Sequence, residues 1–175
     1  VSSAGDSRND IIIRGNSPFG LLWKIDGIEV TNPNHFGAKG STGGPITILN
    51  NNLLTNSDFF TSAFSAEYGN AFSGVFDLKM RKGNTNKFEK TFQIGWNGIE
   101  FGLEGPITKD KSSFMIAYRY ANLKLFEKLN FNIGVNGVPQ YQDITIKTDF
   151  QTKKMGEFSM SLIGGLSKVQ IERGE

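Results

Sequence analysis

The sequence predicts two successive fold classes: a small α+β unit up to about residue 83, then antiparallel all-β structure. Before Gly83, short β-branched runs alternate with Gly/Asn/Ser loops and one short helical pattern. After Gly83-Asn84, helical periodicity disappears and a strict period of two takes over. The chain carries 21 Gly and 15 Phe in 175 residues. Glycine scattered among aromatic strands marks turns, bulges and close backbone approach rather than helices.

Taken in order, Asp10–Arg14 is a β-branched run stopped by Gly15-Asn16-Ser17-Pro18. Leu21–Ile25 is a second run, stopped by the turn dipeptide Asp26-Gly27, and Ile28–Val30 resumes extended structure. Thr31–Gly44 is a polar loop. Pro45 is placed to open a short helix reaching about Leu54, with Ile46, Leu49 and Leu53 on one face. Asp58–Phe64 is apolar, Glu67–Gly74 is small and glycine-rich, and Val75–Met80 alternates. Strands with one or two short helices make an α+β unit.

The second half alternates over most of its length. Phe88, Lys90, Phe92, Ile94 and Trp96 share one face, and Asn97-Gly98 is the strongest hairpin signal in the chain. Ile99, Phe101 and Leu103 continue the pattern, followed by a short charged turn at Thr108–Lys111. Phe114, Ile116, Tyr118 and Tyr120 form the next face. A less regular stretch runs from Ala121 to Gln140. Ile144, Ile146, Thr148 and Phe150 then precede a second short turn, and Phe158, Met160, Leu162 and Gly164 close the series. Amphipathic strands of roughly 8–10 residues, with short turns alternating with longer loops, are what an outer-membrane barrel requires. A soluble antiparallel sheet with one face on a core has the same alternation.

Composition narrows the function classes. The net charge is +2, from 19 basic and 17 acidic residues that are interspersed. A nucleic-acid binder concentrates Lys and Arg on a patch instead. With no cysteine, thiolate catalysis, disulfides and Cys-type zinc sites are excluded. One histidine, His35, cannot build a multi-His metal site. No run approaches the ~20 apolar residues of a membrane helix. Val1 opens without a Met, charged leader or apolar h-region, so the expectation is a targeting sequence upstream.

Several strings follow one another: Ile11-Ile12-Ile13-Arg14-Gly15; Trp23-Lys24-Ile25-Asp26-Gly27-Ile28-Glu29-Val30; Ala66-Glu67-Tyr68-Gly69-Asn70; Ser73-Gly74-Val75-Phe76-Asp77-Leu78; and Arg81-Lys82-Gly83. This series resembles the plug domain of TonB-dependent outer-membrane receptors. The family pattern runs from an IRG strand through a DGI strand and a YG…GGV segment to a basic-glycine exit into the barrel. More loosely, Glu104-Gly105-Pro106, Tyr118-Arg119-Tyr120 and Tyr141-Gln142-Asp143 look like early barrel strands of nutrient-uptake members. The resemblance implies that residues 1–83 are the C-terminal part of a plug. Residues 84–175 would then be roughly the first five strands of a barrel of about 22. Two departures stand out. The family's RGP stretch is Thr61-Ser62-Ala63-Phe64-Ser65 here, without arginine, and its GGV is Ser73-Gly74-Val75.

The resemblance also implies roles. Arg14 becomes the one available arginine for an ionic lock between plug and barrel wall, against the plainer reading of a solvated strand end. Gly15, Gly27, Gly69 and Gly74 are expected to serve backbone conformation or close approach, and Asp26 to turn the DGI hairpin. The loops Ser2–Ser7, Asn16–Phe19 and Asn32–Phe36 correspond to plug apices. Ser7, Asn16, Ser17, Phe19, Asn34, His35 and Phe36 are therefore candidate contacts for a polar or glycan-like ligand. Glu67 and Tyr68 complete the signature. As an acid–base pair they lack the second carboxylate that glycoside chemistry needs, so no enzyme activity and no cofactor is expected. Trp96, Phe101, Tyr118 and Tyr120 suit an aromatic girdle or ordinary sheet packing.

The function expected is TonB-dependent uptake of a siderophore, cobalamin, glycan or peptide across the bacterial outer membrane, with the plug gating the barrel. The implied partners are the TonB inner-membrane complex, acting through an upstream segment, the extracellular nutrient, outer-membrane lipid and a surface lipoprotein. Nucleic acid is not among them. The alternatives are a sensor or interaction barrel that does not import, and a soluble β-rich ligand-binding module.

Overall fold

The computed structural model describes residues 2–5, 8–15, 20–37, 43–95, 98–122, 137–152 and 154–171. They form two compact units, Val1–Arg81 and Lys82–Glu175.

The first unit is built around a mixed sheet. Its strands are β1 (Ser2–Gly5), β2 (Arg8–Ile12), β3 (Leu21–Ile25), β4 (Ile28–Val30), β5 (Asn34–His35), β6 (Ile46–Thr47), β7 (Asp58–Phe60) and β8 (Gly74–Leu78). The central sheet has the order β4-β3-β8-β7. Its inner pair, β3 and β8, runs parallel, with Leu21 opposite Gly74 and Ile25 opposite Leu78. The other pairings are antiparallel. On one face Leu22, Val75 and Tyr68 are buried together, with Phe60, Phe64 and Ala71 packed against them. A fully buried side chain such as Val75 contributes about 1.5–3 kcal/mol. On the other face Trp23, Phe76 and Phe59 occupy one cross-strand row. Their rings stack at centroid separations of 4.3 and 4.2 Å, as register dictates for aromatic neighbours.

The helix expected from Pro45 to Leu54 does not form, and among the described residues there is no α-helix. Ile46–Thr47 is a strand paired with β5, and Asn51–Leu53 is a short 3-10 turn. Local side-chain bonds explain the difference. The Thr47 hydroxyl accepts the Leu49 N–H at 3.1 Å, and the Asn50 side-chain oxygen accepts the Asn52 N–H at 2.8 Å. Asn and Thr offer the backbone such alternatives, which compete with helical bonds. Leu49 and Leu53 are buried all the same.

The second unit is an antiparallel meander whose spatial order equals its chain order: β9 (Glu89–Gly95), β10 (Gly98–Thr108), β11 (Ser112–Asn122), β12 (Gly137–Thr152) and β13 (Gly156–Ile171). Gly98 and Gly156 start strands at φ 106 and 85, and Asp110 turns at φ 60 between β10 and β11. These are left-handed conformations that Gly adopts freely and Asp tolerates. β12 and β13 each run 16 residues, longer than the expected strands and longer than the ~9–11 needed to cross a bilayer. Among the described residues β9 and β13 have one neighbour each, so the sheet is open and not a closed barrel.

Candidate functional site

In the first unit the signature strings converge on the parallel β3/β8 pair. Asp26 and Gly27 take φ 47 and 85, the double left-handed geometry of a tight hairpin turn. The Asp26 N–H donates to the Leu78 carbonyl at 2.9 Å, and its carboxylate accepts the Met80 N–H at 2.8 Å. The DG turn therefore holds the segment that leaves β8. Tyr68 lies across the Leu22/Val75 face and donates its hydroxyl to Asp77 Oδ2 at 2.9 Å. Its ring sits 5.6 Å from that of Phe60, and the Lys24 ammonium lies 4.9 Å from its centroid. Gly74 is buried where a Cβ would meet Ile13 Cδ1 and come within 2.9 Å of the Phe60 carbonyl oxygen. A side chain there would force the core apart.

The Asp77 hydrogen bond, together with partial burial and the nearby carboxylates, raises the Tyr68 phenol from its ordinary 10.0 to about 12. The sign follows from linkage. The folded state keeps a proton that the unfolded chain releases above pH 10, so this stabilisation is complete below pH 10. It is lost as pH rises towards about 12. We expect the alkaline phenolate absorbance titration of the protein to contain a late component near that value, and Tyr68→Phe to remove that component. A Tyr68→Phe titration identical to wild type would count against the Tyr68–Asp77 bond.

The other candidate residues are dispersed. Arg14 turns at φ 53 after β2 and is exposed; its Nη2 donates to the Ser62 hydroxyl at 3.3 Å. Gly15 has φ 74. Gly69 has no comparable constraint, since a Cβ there would touch only the Ala66 carbonyl oxygen at 3.9 Å. Glu67 is exposed. Asn34 lies on β5, with its side chain bonded to Asn32. His35 is 2% exposed, and its ring is tilted against that of Phe36, which turns at φ 58. Ser7, Asn16, Ser17 and Phe19 lie outside the described residues, as does Trp96.

In the second unit sequence reasoning marked the apolar rows but missed the buried polar face behind them. Register places Lys90, Leu103, Ile116, Ile146 and Leu162 in one row across the sheet. The next row is Phe92, Phe101, Tyr118, Ile144 and Gly164, and the one after it Ile94, Ile99, Tyr120, Gln142 and Leu166. Large apolar members of this face stand open: Phe92, Ile94, Leu162 and Leu166 are 66%, 70%, 55% and 69% exposed. On β11 and β12 the opposite face is the buried one, and much of it is polar. Arg119, Asp143, Thr145, Lys147 and Asp149 are buried there with Met115, Ala117 and Tyr141. Arg119 stands opposite Asp143 in register. It donates both Nε and Nη2 to Asp143 Oδ2, at 2.9 and 2.7 Å, and its guanidinium lies 5.3 Å from the Tyr141 ring centroid. Ser159 donates to Asp149 Oδ1 at 2.6 Å.

This sheet is inverted relative to a soluble one. Water drives apolar surface inward, and buried charge is expensive unless paired. Here the aromatic rows are exposed while Arg119, Asp143 and Lys147 are buried on the other face. The signal was present in the residues opposite each apolar face, but alternation does not say which face is buried.

No family model matches the chain, and no curated protein matches it in sequence. Among solved structures it is similar to the siderophore receptor PirA from Acinetobacter baumannii, at a TM-score of 0.60 and 18% sequence identity, covering 90% of this chain and 25% of that one. The chain thus spans about a quarter of that receptor's length, and at this identity the likeness is one of fold.

Proposed function

We propose that the chain is part of an outer-membrane receptor for TonB-dependent nutrient uptake, with residues 84–175 forming barrel wall and the first unit belonging to the plug. The inverted sheet carries this reading. From the Phe150–Phe158 pair to the Gln142–Leu166 pair the apolar face extends eight residues along β12. At ~3.3 Å per residue that is ~27 Å of strand, or ~20 Å of height at a tilt of ~40°. An apolar band of an outer-membrane barrel is ~25 Å tall. The likeness in fold to a siderophore receptor supports the same reading and makes a ferric siderophore the first ligand class to test.

Mechanistically, no bond of the ligand need break. Ligand binding at the outer face must favour one plug conformation over another through differential contacts, and energy delivered to the upstream terminus then opens a path. The parallel β3/β8 pair, tied by Asp26 and Tyr68, is the part of the plug that holds together during that change. The test is uptake of labelled ferric siderophores, cobalamin and glycans by cells making the full-length protein, with and without a functional TonB complex. Accumulation that requires both supports import. Ligand binding without TonB-dependent accumulation would favour a sensor, and a protein that is monodisperse in plain buffer would sink the membrane assignment.

A further inference from the structure

We propose that the recess where β11, β12 and β13 leave the apolar band binds the phosphate of an anionic lipid headgroup in the outer leaflet. The inference rests on the membrane-embedded reading above. The apolar rows end with Tyr120, Gln142 and Leu166, and the next row in register is Asn122, Gln140 and Lys168, all polar. That step marks the boundary between hydrocarbon and headgroup. At it lies a recess of about 180 Å³ lined by Tyr120, Gln140, Gln142, Leu166 and Lys168, with Tyr141 and Ser167 between them along β12 and β13. The longest connection between strands of this sheet, residues 123–136, leaves from the same end, as does the two-residue connection 96–97, while the other end is closed by short connections alone, 109–111 and 153–155. In outer-membrane barrels the short turns are periplasmic and the long loops extracellular, which assigns the recess to the outer leaflet.

The chemistry of the recess is that of a donor. Tyr118 donates its hydroxyl to the Gln142 side-chain oxygen at 2.9 Å, and Asn122 donates its amide to the Tyr120 hydroxyl oxygen at 3.3 Å. Those bonds occupy acceptors. The Gln142 amide N–H groups, the Tyr120 O–H and the Lys168 ammonium remain to donate, and Lys has no acceptor of its own. Asp143, the carboxylate next along β12, is buried on the opposite face and held by Arg119. A cation one row beyond an apolar band, on a stem long enough to reach headgroup level, selects an anion carried by the lipid itself.

The experiment uses the full-length protein in bilayer nanodiscs of phosphatidylcholine, with or without phosphatidic acid, and counts retained lipids by native mass spectrometry. Wild-type protein is expected to enrich phosphatidic acid. Lys168→Gln should weaken that enrichment about fivefold, the value of one cation near an anionic surface, whereas Lys154→Gln at the opposite end of the sheet should leave it unchanged. Equal enrichment by wild type, Lys168→Gln and the Lys168→Gln/Gln142→Leu double variant would overturn the proposal. So would displacement of the bound lipid by inorganic phosphate, since the site would then take free anions. Failure of wild-type protein to insert at all would instead overturn the membrane reading beneath it.

Discussion

Replacing Leu162 with arginine is expected, on the proposed barrel reading, to destabilise the folded full-length protein in a bilayer by about 2–4 kcal/mol, the cost of a cation at the midplane of a lipid-facing barrel surface. Leu162 sits in the middle of the apolar rows, opposite Ile146 on β12, and is 55% exposed. The same substitution at Gln140, in the boundary row, should cost only about 0–1 kcal/mol. Denaturant titration of protein folded into lipid vesicles reads both. The comparison is discriminating because a half-exposed leucine on a water-facing sheet tolerates arginine within about 0.5 kcal/mol. Equal, small effects at both positions would mean that these aromatic rows do not face lipid.

Asp143→Ala should be the most damaging single change on the polar face. It leaves the Arg119 guanidinium, in a side chain 7% exposed, without the carboxylate to which it donates twice. Breaking a buried pair from one side costs about 3–5 kcal/mol, because the surviving charge stays buried and loses its counter-charge. The double variant Arg119→Met/Asp143→Leu removes both charges together and should recover most of that loss, since apolar replacements of similar size are often neutral. The same unfolding titration measures all three proteins. If the double variant is as unstable as Asp143→Ala, the pair is not the unit that stabilises this sheet.

Much of the strand pattern was legible. The hairpin at Asp26-Gly27, the strands of the second half and the faces carrying Phe101, Ile116, Ile146 and Leu162 could be read from spacing, because a strand alternates its side chains whatever surrounds it. The helix after Pro45 was misread for a local reason: Thr47 and Asn50 tie the backbone into turns, and a count of apolar positions does not weigh those bonds. Strand length was underestimated as well. β12 and β13 continue past their apolar stretch into Gln140 and Lys168, where hydrophobic alternation no longer marks them.

The candidate residues divide along the same line. Asp26, Gly27 and Gly74 are explained by backbone conformation and close approach, which motif spacing can signal. The partner of Tyr68 could not be foreseen, because Asp77 meets it only through the turn of the segment between Tyr68 and β8 back onto that strand. Nor could the pairing of Arg119 with Asp143, which depends on the register of β11 against β12.

The amino-acid order alone determined where strands alternate, where they turn and which side chains share a face, since those follow from the geometry of one extended chain. Only the tertiary structure decided which face is buried, because burial depends on what other elements cover it. In this protein the buried face of β11 and β12 is the one that carries Arg119, Asp143 and Lys147.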